Sequence, residues 1–331
     1  MASVLRTLLC DLLQIEVPVI QGAIGGPWDV SSQMIAAVSN AGGLGSISAT
    51  LKTPEQIERQ ISEVRQMTDK PFAVNHTRRP FNEEAFRATL AAAPAVISFA
   101  QGDPGDLVDR AHDAGARFLH QVATVAQARI ANRAGADVII AQGGEAGGFG
   151  GSIGTMTLVP QVVDAVAPTP VVAAGGIADG RGLAAALILG AAGVNIGTRF
   201  LASVECAVSE EWKSLIVASE SEDVVKINFA ESVVPPMTEG GWPAIPRSLR
   251  TEFIDEWNAR LPEVAENAGH LRAELGEAMR SGLAHRLIPL AGQTAGQIAE
   301  VLPVAEIMQL LVGQAESALL GWRRDAGSMD A

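Results

Sequence analysis

The chain has 331 residues, 48% hydrophobic and only 18% charged, and its 37 acidic against 24 basic side chains give a formal net charge of −13. That length can bury the core of one large domain or two ordinary ones. The acidic balance excludes a phosphate-backbone partner such as nucleic acid, because no surplus of cations is present to displace counterions.

Cys10 and Cys206 are too few for a disulfide framework in a chain this size, which fits a reducing cytoplasm. The N-terminus carries Arg6 and a short apolar patch broken by Asp11, without a small-residue cleavage site. It reads as the start of the mature protein and not as a secretory signal. Uncharged stretches such as residues 146–163 are interrupted by glycines and Pro160, so no run matches the roughly 20 apolar residues of a membrane helix. No tyrosine occurs anywhere, which excludes a phenolic proton donor. His112, His270 and His285 show no ligand spacing, and no metal is expected.

In chain order, strand-like apolar runs fall at residues 18–21, 44–48, 72–75, 95–99, 117–122, 137–142, 170–174 and 193–197. Helical patterns fill the gaps at 31–41, 54–68, 82–92, 105–114, 125–134, 158–167 and 181–189. Thr53-Pro54 and Asn82-Glu83-Glu84 are helix-start signals. Glycines at Gly42, Gly115, Gly135 and Gly190 close helices shortly before the next strand, as short αβ loops require. An open doubly wound sheet shares this alternation, but eight consecutive units favour a (β/α)8 TIM barrel.

Beyond Phe200 the composition changes. Trp212, Phe229, Trp242 and Trp257, the Pro235-Pro236 break and amphipathic stretches at 250–260 and 263–280 mark a helical insertion after strand eight. The expected division is residues 1–204 and 296–331 as barrel and 205–295 as inserted subdomain, with a last helix at 298–320 returning to the barrel.

A barrel carries its active site at the C-terminal strand ends, often with phosphate bound after strands seven and eight. Those loops read Ala174-Gly175-Gly176-Ile177-Ala178-Asp179-Gly180 and Gly197-Thr198-Arg199, glycines that let the backbone approach an anion. The loop after strand six, residues 142–151, has six glycines in ten positions and reads as ligand-facing. Gln21, Asn75 and Gln121 put amides at strand ends, suited to a neutral heterocycle. Glu145 reads as structural.

These residues resemble the nitronate monooxygenase family, FMN-dependent barrels that include enoyl reductases and NADH:quinone reductases. The resemblance runs from Pro18 to about Cys206. It is carried by Pro18-Val-Ile-Gln-Gly22, Asn40-Ala-Gly-Gly-Leu44, Pro71-Phe-Ala-Val-Asn75, Gly144-Glu-Ala-Gly-Gly148, Ala174-Gly-Gly-Ile-Ala-Asp-Gly-Arg-Gly182 and Gly193-Val-Asn-Ile-Gly-Thr-Arg-Phe-Leu201. It implies that Ala23 and Ile24 lie beside the flavin ring, and that Gln21 joins Ser48, Asn75, Gln121 and Gln142 in contacting the cofactor. Gly147 and Gly148 approach it; Gly175, Gly176, Gly197 and Thr198 hold the phosphate, helped by Arg181 and Arg199.

Phe149 stands where the family usually has a catalytic histidine, and Gln121 where some members have lysine. Phenylalanine cannot exchange a proton, which removes deprotonation of neutral nitroalkanes and protonation of enoyl substrates by that route. An anionic nitronate, or a quinone protonated from water, needs neither. Phe149 and His76, the latter in a cationic cluster with Arg78 and Arg79, are the substrate-binding candidates; His120 is a weak catalytic one, since strand alternation turns it from the mouth if Gln121 faces inward. The resemblance therefore implies oxidation of alkyl nitronates with oxygen. The alternatives are transfer from NADH or NADPH to a quinone, and a flavin-binding barrel without catalysis. A synthase or isomerase barrel with another phosphate ligand is the reading outside flavin chemistry. The expected partners are a small-molecule substrate and an oxygen or quinone acceptor, with no membrane; a homodimer is allowed.

Overall fold

A computed structural model describes residues 4–25, 31–78, 81–233 and 242–327. The expected Pro235-Pro236 break and Arg79 lie outside them. Eight parallel strands form the barrel: β1 (Val19–Gln21), β2 (Gly45–Ser48), β3 (Phe72–Thr77), β4 (Val96–Ala100), β5 (Arg117–Val122), β6 (Val138–Gln142), then β8 (Val171–Ala174) and β9 (Gly193–Ile196); β7 (Gly148–Gly150) interrupts the count inside the strand-six loop. Their order is β1-β9-β8-β6-β5-β4-β3-β2. The Ile20–Leu44 bridge, with Leu44 N–H donating to Val19 O and Gln21 N–H to Leu44 O at 2.9 Å each, brings β1 against β2.

Period-two alternation sorts each strand into an inner and an outer face. Ile20, Leu44, Ala73, Val96, Leu119, Val138, Ile140 and Val172 face inward in one cluster with Leu9, Cys10 and Leu13 of the helix Leu8–Leu13. That helix closes the barrel floor: a Cβ on Gly193 would meet Leu9 Cδ2 at 2.5 Å. Outward residues such as Ile47, Val74, Phe99, Phe118 and Ile139 pack against the surrounding helices. Near the strand tops the inward positions become polar, and there the site lies.

The helix starts follow the local chemistry. Thr53 makes a capping box with Gln56 before Pro54, and Asn82 accepts from Ala85 N–H, satisfying donors that the first helical turn leaves unpaired. The last helix spans Val304–Gly327 instead of beginning at 298, because residues Gln293–Gln297 form a 3₁₀ turn and Pro303 precedes the first turn. It seats on the helix Gly180–Ile188, where a Cβ on Gly180 would lie 2.4 Å from Ala315 N.

The segment after β9 is helical but not purely so. Trp212 and Ile216 of the helix Glu210–Ala218 join the barrel's outer core, whereas Phe229, Phe253, Ile254, Trp257, Leu271 and Leu275 form a separate cluster. Strands β10 (Val224–Lys226) and β11 (Ile245–Leu249) pair antiparallel, and β11 pairs with β7. The strand-six loop is thus one edge of a small sheet built largely from the insertion. Among the described residues, no helix is long and apolar enough to cross a membrane.

Candidate active site at the barrel mouth

Ser48, Asn75, Ser98, Gln121, Gln142 and Asn195 occupy inward positions at the top of the barrel. Asn75 Nδ2 donates to Ser98 Oγ at 2.9 Å, and Gln121 Nε2 to Gln142 Oε1 at 3.1 Å. Ser48 Oγ accepts from Thr50 N–H at 3.3 Å. Asn195 is the exception: its Oδ1 is buried without a hydrogen-bond partner and lies 3.3 Å from where a Cβ on Gly22 would stand. A buried acceptor left unpaired costs about 1–3 kcal/mol, and a heterocyclic N–H at the mouth is a fitting donor. The sequence reading omitted Asn195 and Ser98, although the parity that selects Asn75 and Gln142 selects them too.

Ala23 and Ile24 follow β1 as a half-buried loop, and Gly25 folds over β2, where its Cβ would meet Ser48 Oγ at 2.9 Å. In the strand-six loop, Gly147 packs so closely that a Cβ would sit 2.5 Å from the carbonyl carbon of Ala291. Gly148, by contrast, has φ +67 and open space where a side chain would project, a conformation that favours glycine. Phe149 is half-buried and pairs in register with Pro246 of β11. Glu145 spends its carboxylate on the start of helix Thr155–Val166, accepting from Thr155 N–H at 2.9 and 3.0 Å and from its hydroxyl at 2.9 Å.

The loops after β8 and β9 complete the rim. Gly175 and Gly176 have φ +89 and +72, and a Cβ on Gly197 would touch nothing within 4 Å. Thr198 Oγ1 accepts from Gly292 N–H at 2.9 Å and keeps its own proton to donate. This cradle of backbone and hydroxyl groups fits a phosphate. The two arginines already have protein partners. Arg181 is bound to Asp179, at 2.8 and 2.5 Å, and Arg199 Nη2 donates to Ala202 O and Glu300 O at 2.7 Å each. Between the loops after β2 and β3, beside the mouth, a rim cleft of about 450 Å³ is lined by His76, Leu51, Lys52, Phe81 and Asn82 among others.

Three expected site residues face the other way. Gln21 is fully buried with outward parity; its Oε1 accepts from Ser46 N–H at 2.8 Å and its Nε2 donates to Gly22 O, so the amide seals the seam between β1 and β2. His76 is packed between Phe99 and Phe86 behind β3, with ring centroids 5.3 Å from each. Thr89 Oγ1 gives its proton to Ala85 O, so His76 Nε2–H donates to Thr89. Burial depresses the His76 pKa to about 3, and a neutral, enclosed imidazole is no cation for a substrate. His120 is stacked on Phe118 and edge-on to Trp242, with Nε2–H donating to Gly102 O at 2.8 Å. Burial holds its pKa at about 4 against the opposing Gly102 bond. It faces the helices, as alternation predicts for a neighbour of Gln121. Among the described residues, none of the inward positions of the upper barrel is titratable, and no cluster of histidine, cysteine and carboxylate groups is arranged to hold a metal.

A family model described as nitronate monooxygenase matches residues 6–85 and 83–314 of the chain. An octahydro-indene carboxyl-CoA dehydrogenase of Mycobacterium tuberculosis is 38% identical over 256 residues, 76% of this chain and 68% of that protein. A probable nitronate monooxygenase of Staphylococcus saprophyticus is 32% identical, over 85% of this chain and 88% of its own. Among solved structures, FabK from Thermotoga maritima superimposes with a TM-score of 0.86 at 35% identity, covering 96% of this chain and 98% of that one. The chain belongs to the nitronate monooxygenase family.

Proposed function

From that membership we propose an FMN-dependent oxidoreductase that oxidises alkyl nitronates with oxygen. FMN, when bound, supplies the two-electron redox chemistry, and the protein supplies position and electrostatics. In this reading Asn75, Gln121, Gln142 and Asn195 hold the ring and ribityl groups, with Ser48, Ala23, Ile24, Gly147 and Gly148 alongside. Gly175, Gly176, Gly197 and Thr198 hold the phosphate, and Phe149 lines the substrate side. Residues 1–204 and 296–331 form the FMN-binding barrel, and 205–295 the subdomain that braces its strand-six loop.

The observation that carries the choice of substrate is the absence of a titratable side chain among the described inward residues of the mouth. Glu145 is committed to Thr155, and both nearby histidines are buried on the outer side of the barrel wall, His76 at the rim cleft and not in the mouth. A neutral nitroalkane needs a base to remove its α-proton, whereas a nitronate arrives already deprotonated. The protein then has only to orient an anion beside the cofactor and exclude water. The same observation supports NADH- or NADPH-to-quinone transfer as a second reading, since a quinone takes its protons from solvent.

Oxygen consumption by the FMN-loaded protein separates substrates. Turnover is expected with alkyl nitronates and at least tenfold slower with the parent nitroalkanes below their pKa, the loss of a positioned base being worth about 10²–10⁴. Equal rates on both forms would defeat the reading. A CoA thioester belongs in the same panel, given the dehydrogenase relative.

A further inference from the structure

Two cations grip the strand-six loop from outside the barrel. Lys226 on β10 lies opposite Arg247 on β11, and Arg247 lies opposite Gly148 on β7. Lys226 Nζ donates to Gly151 O at 2.7 Å and to Ile245 O at 3.3 Å. Arg247 Nε donates to Gly144 O at 3.0 Å and Nη1 to Val224 O at 2.9 Å. Gly144 and Gly151 bound the segment that carries Gly147, Gly148 and Phe149.

Many cations of this acidic chain find carboxylates, as Arg181 does at Asp179 and the buried Lys213 at Glu210 at 2.9 Å, although Arg199 binds two carbonyls that lie outside any ligand-facing loop. Lys226 and Arg247 instead spend the hydrogen bonds described on backbone carbonyls, two of them in one glycine-rich loop. Both side chains are partly buried, and burial lowers both pKa values; the Arg247 charge lowers that of Lys226 further, while Glu145 partly offsets the shift at Arg247. A glycine-rich segment has the most backbone freedom to lose, and a charge-assisted bond at each end restrains it more firmly than a neutral one.

We propose that Lys226 and Arg247 are positioning residues that clamp the two ends of the strand-six loop and so set the height of Gly147, Gly148 and Phe149 over the flavin ring. The inserted segment thereby controls cofactor and substrate fit from outside the barrel. The cofactor part rests on the FMN reading above; the clamp itself does not.

The test uses full-length Lys226→Met, Arg247→Met, the double variant and Lys226→Arg, with Lys213→Met as a buried-cation control. Two readouts apply: amide hydrogen exchange of residues 144–151 in the flavin-free protein, and dissociation constants for FMN and riboflavin. Each methionine variant is expected to speed exchange in this segment and to weaken both flavins alike by about tenfold, the scale of one charge-assisted hydrogen bond. The double variant should fall short of the product of the single effects, because both bonds restrain one loop. Lys226→Arg should restore binding, and Lys213→Met should alter thermal stability without altering either readout. Unchanged exchange would overturn the clamp, as would an equal effect from Lys213→Met. A loss for FMN but not riboflavin would overturn it too, by making the pair phosphate ligands. If the wild-type protein binds neither flavin, the FMN reading fails while hydrogen exchange still decides the clamp.

Discussion

The inner and outer faces of the barrel wall carry similar polar side chains at the same height, and their fates are opposite. Asn75 faces the mouth, whereas His76 beside it is enclosed by phenylalanines; Gln121 faces the mouth, whereas His120 is sealed against Phe118 and Trp242. One residue of parity separates a ligand contact from a structural bond. The inner face leaves Asn195 Oδ1 unpartnered toward the mouth, whereas on the outer face Gln21 spends its amide across the β1–β2 seam and His120 leaves only Nδ1 unpaired, away from the mouth.

The sharpest way to break this contrast is a charge on the outer face. His76→Asp places a carboxylate among Phe86, Phe99 and Thr89, where ionisation has no partner. A loss of about 4 kcal/mol or more in unfolding free energy is expected, read by denaturant titration of the flavin-free protein. A variant of near wild-type stability would mean that the outer face tolerates what the inner face is built for.

The inner face should respond oppositely. Gly197→Ala meets no atom within 4 Å, so flavin-free stability should stay within about 1 kcal/mol. If the phosphate rests there, FMN affinity falls by about a hundredfold, or 2.7 kcal/mol. Fluorescence titration beside thermal unfolding reads both quantities.

The two outer histidines also predict a pH dependence. Their folded pKa values, about 3 for His76 and about 4 for His120, lie below the ordinary 6.5, so the unfolded chain takes up protons first as pH falls. Their stabilising effect is complete above pH 6.5 and declines toward pH 4, by about 1.4 kcal/mol per pH unit for each histidine. His76→Gln should flatten the unfolding free energy measured between pH 7 and pH 5 by one histidine's share. An unchanged slope would contradict its depressed pKa. The smallest effect belongs to Asn195→Ala: removal of the unpaired acceptor leaves flavin-free stability unchanged or raised, while FMN binds about tenfold more weakly.

Much of this architecture was readable from the chain. The βα cadence and the cap residues Thr53 and Asn82 specify the barrel, because each acts through neighbours in sequence. The glycine clusters mark the rim, since a positive φ at Gly148, Gly175 and Gly176 is a local property. Gln21 at a strand end and His76 beside Arg78 and Arg79 look like ligand contacts in sequence, although the alternation that applies to His120 turns both outward. The β7–β11–β10 sheet gave no usable signal. β7 and β10 have three residues each, too few for a period, and β11 lies about a hundred residues from β7 in the chain, so the pairing depends on tertiary packing. Arg181 and Arg199 were assigned to an anion by proximity, which says nothing of Asp179 or the Glu300 carbonyl as competing partners.

The central claim, a flavin-holding mouth whose described inward residues include no base, is tested most directly by anaerobic titration of the FMN-loaded protein, watching the visible flavin band. An alkyl nitronate should bleach it, while the neutral nitroalkane, at a pH below its pKa, should leave it oxidised. Bleaching by NADH or NADPH but not by nitronate would contradict the nitronate reading in favour of the reductase, and a protein that takes up no flavin would contradict the account of the mouth itself.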